Sequence, residues 1–167
     1  MSPEPWLRGP LPNVDPLLMP AAHALVQASE DLTRAAADLR RKELVARPGG
    51  AASVAFHLVH IAGSIDRLLT YARGAGLNDE QRATAAGEAA QAESSGDVVA
   101  LVARACGAIE IALTQIRATA AKSLLEPRAV GRAQLPSTVH GLLFHVAEHT
   151  QRHVGQLIAT AKAVRAR

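Results

Sequence analysis

Apolar residues recur at helical spacing along most of the chain. Leu18, Leu25, Leu32 and Leu39 fall every seven residues, with Ala21, Ala22, Ala28, Ala35 and Ala36 filling between them. Asp15-Pro16 places a capping carboxylate before a proline at a first helical position, so the pattern predicts a helix from there to about residue 44. Pro48-Gly49-Gly50 interrupts it. Ser53 then caps a second helix whose stripe is Val54, Leu58, Ile61, Ile65, Leu68 and Leu69, ending near Gly74. Residues 75–96 are polar and Ala-rich, and Asn78 or Asp79 could cap a short helix there. A third long helix follows Gly96, carrying Val98, Val102, Ala105, Ile109, Leu113 and Ile116. The stretch 122–136, with Pro127, Gly131 and Pro136, reads as a long connection. Ser137 or Thr138 caps a fourth helix to about residue 164.

Four amphipathic helices with no strand signal predict an all-α, four-helix bundle. Its two longer connections suggest crossovers. The 167 residues are expected to form one domain over 1–167, with a Pro-rich N-terminal arm (1–14) that Trp6 and Leu7 pin to the body. Apolar residues make up 49% of the chain, yet Trp6, Phe56, Tyr71 and Phe144 are its only aromatics. Its core must therefore be built from Leu, Val, Ile and Ala, which reinforces the helical reading.

The formal charge of +3 comes from basic residues spread along the chain, the densest groups being Arg40 to Lys42 and the tail Lys162, Arg165 and Arg167. No basic stripe with stacking aromatics is present, so no nucleic-acid partner is expected. Cys106 is the only cysteine, which rules out an intrachain disulfide. The N-terminus lacks the regions of a signal peptide, and no apolar run approaches membrane-spanning length. The expectation is a cytoplasmic protein without a membrane partner.

The candidate chemistry lies in histidines. Five of seven occupy two short stretches: His57 and His60 on the second helix, and His145, His149 and His153 on the fourth. His149 and His153 are one turn apart and differ by about 40° around the axis, a spacing that lets two imidazoles reach one ion. They sit at the edge of the apolar stripe, and His57 and His60 fall on the matching side of theirs, with His57 nearer the core. A divalent metal held by His149, His153 and one histidine of the second helix follows, with either His57 or His60 as the third ligand. Three neutral imidazoles would leave an open position, as catalytic sites do. His145 could line the pocket or hydrogen-bond a ligand, Gln156 could hold a bound water or serve as a structural amide, and Glu148 and Asp66 would orient imidazoles well if they faced it. His23 and Cys106 read as structural.

The segment from His145 through His149 and His153 to Gly155-Gln156 resembles the last helix of the DinB/YfiT-like superfamily. Ser53-Val-Ala-Phe-His57-Leu-Val-His60-Ile-Ala is similar to that family's other signature. The motifs cover about thirty residues, while the order of elements matches throughout. The resemblance implies a commonly dimeric four-helix bundle with crossovers, binding zinc or nickel through three histidines. Carried over by position, these are His60, His149 and His153, with Arg152 pointing off the ligand face. It further implies a metal-dependent enzyme that activates a low-molecular-weight thiol or water on a small-molecule substrate. A thiol-dependent transferase or isomerase comes first and a hydrolase next. The alternative is a non-catalytic metal-binding stress-response or interaction protein.

Overall fold

The computed structural model describes residues 3–166. The first two residues of the Pro-rich arm and Arg167 of the basic tail lie outside the described residues. The main elements are α1 (Met19–Ala36), α2 (Arg41–Leu44), α3 (Val54–Ala72), α4 (Asp79–Ser94), α5 (Val98–Ala118), a hairpin of β1 (Pro127–Val130) and β2 (Leu135–Thr138), and α6 (Val139–Arg165). Helices α1, α6, α3 and α5 follow one another around a four-helix bundle, and α4 packs on the outside of α3. The connections α1 to α3 and α5 to α6 therefore cross the bundle diagonally. The stretch 75–96, by contrast, links the neighbours α3 and α5. The all-α reading holds.

The core is aliphatic, as the composition requires. Leu25, Leu32, Leu58, Ile61, Ile65, Ile109, Leu113 and Leu143 are fully buried between the four helices. Ser53, Asn78, Asp97 and Thr138 cap α3, α4, α5 and α6 through their side-chain oxygens.

Four local expectations are corrected. Asp15-Pro16 forms a turn in which Asp15 Oδ1 accepts from Leu17 N, and the helix begins at Met19-Pro20. It ends at Ala36, because the chain reverses through Asp38 in a left-handed conformation (φ 61°). Leu39, just ahead of the short α2, and Leu44 within it are still buried, so the last heptad position reaches the core although the helix has ended. The stretch 122–136, expected to be only a long connection, carries most of an antiparallel hairpin that runs on to the capping Thr138, with Pro127 opposite Thr138 and Val130 opposite Leu135. The two prolines hid the strand signal, since a two-stranded ribbon needs few ladder donors. The N-terminal arm is not pinned by Trp6 and Leu7, which are 62% and 57% exposed. Buried Pro5, the paired Arg8–Glu30 hydrogen bonds (2.5 and 2.8 Å) and a 3.0 Å bond between His23 Nε2 and the Gly9 carbonyl hold it on α1.

Helix α5 is also more apolar than run-counting suggests. Among the described residues it alone is long and apolar enough, by length and composition, to cross a membrane. Arg104 and Glu110 divide its apolar runs in the sequence. In the fold its inner face, including Leu101, Ala105, Ile109, Leu113 and Ile116, is core against α1 and α3.

Candidate metal centre

The capped start of α3 and the long α6 run side by side and bring their histidines together. His60, His149 and His153 each offer a ring nitrogen, and these atoms lie within 4.8 Å of one another. His60 Nε2 is 3.0 Å from His149 Nε2, and the His60 and His153 rings are 4.4 Å apart at their centroids. All three residues are half-buried.

His57 is placed differently. It is 3% exposed and lies behind the cluster, its Nδ1 3.1 Å from His153 Nδ1. The helical wheel ranked His57 nearer the core, and that ranking is why it falls behind the group. His60, farther out, reaches it.

Burial, and secondarily the neighbouring His60, pushes the His57 imidazole down to about 4. Burial and then the surrounding His60, His149, His57 and Arg152 push His153 down to about 3. His149 is lowered by burial first and then by His60, His145 and Arg152, with Glu148 opposing them. At neutral pH these rings are uncharged, and an uncharged imidazole keeps a lone pair for a cation. One atom stands out: His149 Nδ1 is buried without a hydrogen-bond partner. Three convergent imidazole nitrogens, with no thiolate and no carboxylate among them, are a donor set that could hold a divalent ion such as zinc.

The other expected residues lie around this group. His145 Nδ1 pairs with Glu148 at 3.0 Å, and Glu148 also pairs with Arg152, so Glu148 serves its own helix surface and does not orient a clustered imidazole. Arg152 is exposed, off the histidine face as expected. Asp66 accepts from Gln81 Nε2 at 2.8 Å and does not reach the histidines. Gln156 is exposed and takes no part in the pocket. Cys106 is half-buried on α5, 3.4 Å from Ser29 Oγ and 3.5 Å from Thr33 Oγ1 of α1.

The residue the sequence did not single out is Glu88 of α4. It is 5% exposed, and its Oε2 lies 2.7 Å from His60 Nδ1 while its Oε1 accepts from Arg67 Nη1 at 2.6 Å. Burial alone would raise this carboxyl. The hydrogen bonds from His60 and Arg67 outweigh it and hold the group below its ordinary value. Phe56, one turn before His60, stacks on that imidazole at 5.6 Å and 12°. A stripe signal for Glu88 does exist: Gln81, Thr84, Ala85, Glu88, Ala92 and Ser95 fall at helical spacing and turn inward. Its members are polar or small, so hydrophobic periodicity passes over it.

No curated protein matches the chain. A family model described as the DinB superfamily matches residues 24–157, a span that holds all of α3, α4 and α5, the histidine cluster and Glu88. With four fifths of its length so matched and the bundle in place, the chain belongs to the DinB superfamily.

Proposed function

We propose that His60, His149 and His153 hold a divalent metal ion, zinc or nickel, and that the protein is a metal-dependent enzyme activating a small thiol or water. A thiol-dependent transferase or isomerase is the first reading and a hydrolase the second. The observation that carries this is the convergence of three imidazole nitrogens within 4.8 Å of one another, with His149 and His153 lowered chiefly by burial. When bound, the metal supplies Lewis acidity, lowering the pKa of a thiol or water and stabilising the anion that develops.

The chain's own residues suit that task. Three neutral ligands leave the ion its full charge and a position for an exogenous group. The half-buried rings keep the donor set reachable from solvent. Arg152, close enough to depress both His149 and His153, adds positive charge that favours an anionic ligand at the same place. His57 fills the space behind His153 and Phe56 covers one face of His60, so bulk water is excluded from two sides.

Metal analysis of protein purified without a His tag, followed by anomalous X-ray scattering across several metal edges, tests the reading. Wild type is expected to carry one equivalent of metal and His60→Ala to lose it. Full occupancy in His60→Ala rejects His60 and points to His57, while wild-type protein without stoichiometric metal removes the metalloenzyme reading.

A further inference from the structure

We propose that Glu88 is the positioning residue of the histidine site, fixing the tautomer of His60 so that its Nε2 lone pair faces His149 and His153. This rests on the reading that the three histidines hold a metal, and it assigns a role to a helix that lies outside the four-helix bundle.

The chemistry follows from the donor inventory. An ionised carboxylate can only accept, so the 2.7 Å contact between Glu88 Oε2 and His60 Nδ1 requires the imidazole proton on Nδ1. With the proton on Nδ1, Nε2 is the nitrogen left to offer a lone pair to a cation, and it is the atom that approaches His149. Glu88 is itself held in place. Its second oxygen is taken by Arg67 at 2.6 Å, which balances the buried charge and keeps the carboxylate from swinging into the cluster as a ligand. The pair fits because residue 63 is glycine: a Cβ there would stand 2.4 Å from Glu88 Oε1 and 2.8 Å from Arg67 Nη1. Phe56 fixes the plane of the His60 ring from its face while Glu88 fixes it from its edge.

Neither of the other two histidines has such a partner among the described residues. His153 Nδ1 meets a neutral imidazole, and His149 Nδ1 meets nothing. A carboxylate on the far nitrogen of a ligand both orients the ring and raises its basicity, and losing such a partner typically weakens metal binding by about 10–100-fold.

The test uses two readouts on the full chain at neutral pH. Two-bond proton–nitrogen correlation spectra of histidine-labelled, metal-free protein report which nitrogen of His60 carries the proton. Competition with a chromophoric chelator reports zinc affinity. Wild type is expected to show His60 protonated on Nδ1. Glu88→Ala is expected to lose that preference and bind zinc about 10–100-fold more weakly. Glu88→Gln, whose amide oxygen still accepts from Nδ1–H, is expected to keep the tautomer and fall between the two. The proposal is overturned if wild-type His60 carries its proton on Nε2. It is also overturned if Glu88→Ala loses stability without its metal yet binds zinc within about twofold of wild type, since that marks a purely structural anchor for α4. Should Glu88→Ala fail to fold, the wild-type tautomer and the zinc affinity of Glu88→Gln decide the matter. Wild type that binds no zinc sinks the metal reading instead, and the His60 tautomer still settles what Glu88 does.

Discussion

Helices α6 and α4 both touch the histidine cluster, and they are built on opposite plans. Helix α6 runs 27 residues, buries Leu142, Leu143, Val146, Val154 and Leu157, and presents His149 and His153 along the edge of that stripe. Helix α4 runs 16 residues, has no apolar stripe, and buries only Glu88 and Ala92. One is part of the hydrophobic core and carries chemistry at its margin. The other lies on the surface of α3, tied down by a buried ion pair and a capping box. The contrast teaches that the ring nitrogens of the site come from the rigid bundle, while the anion behind His60 comes from its least apolar helix. That division places the positioning carboxylate on a helix whose docking depends on polar contacts rather than on apolar burial.

The largest difference between the two helices should appear on truncating a core side chain. Leu157 is fully buried, and Leu157→Ala is expected to cost about 2–5 kcal/mol, the usual price of a cavity in a packed core. Urea unfolding of the metal-free protein measures this directly. Helix α4 offers no comparable position, because its one buried apolar residue, Ala92, has a single methyl group. A loss well below about 1 kcal/mol for Leu157→Ala would break the comparison, since α6 would then be no more central to the core than α4.

That asymmetry also explains what the sequence could tell. Segments with an apolar stripe are legible in kind: α3, α5 and α6 stand where the periodicity puts them, α1 is shorter at both ends, and Ser53 and Thr138 cap as expected. The candidate ligands were legible because i, i+4 spacing maps directly onto one face of a helix. The helical wheel places His57 deeper than His60, but which depth meets the α6 histidines depends on how α3 and α6 pack, which a single wheel does not supply. Glu88 depends on how α4 docks, and its inward positions hold Gln, Thr, Ala and Ser, indistinguishable by hydropathy from a solvated face. Gly63 marks the place, as a glycine within a helix whose missing Cβ makes room for an incoming side chain.

Acid titration separates the two regions by pH window. His57 and His153, held near 4 and 3, sit below the ordinary value of 6.5. Above that value both the folded and unfolded chains carry neutral rings, and these groups add no pH dependence. Below it the unfolded chain takes up protons that the folded cluster refuses, so stability falls as pH falls. The slope is at most about 1.4 kcal/mol per pH unit for each group, and smaller for half-exposed His153. Glu88 is lowered from 4.5, so its contribution is intact above that value and fades only as pH drops below it. Urea unfolding of the metal-free protein at pH 7, 6.5 and 6 therefore reads the histidines before the lowered carboxylates contribute. A flat profile across that range would mean the rings are not held neutral by the fold.

The smallest effect is the most local one. Asn78 closes a capping box at the start of α4: its Oδ1 accepts from Gln81 N at 2.8 Å, and Gln81 Oε1 accepts from Asn78 N at 3.0 Å. Gln81 also donates to Asp66 and Thr70 of α3, so this one turn both starts the helix and docks it. Asn78→Ala removes a side-chain acceptor worth about 1 kcal/mol. If α4 opens as a unit apart from the bundle, that loss falls on its own opening equilibrium, and its amides should exchange with solvent about fivefold faster while those of α6 keep their rates. Equal acceleration in α4 and α6 would show that the two helices open together. The division between a rigid bundle that carries the histidines and a separately docked helix that carries Glu88 would then be one of composition alone.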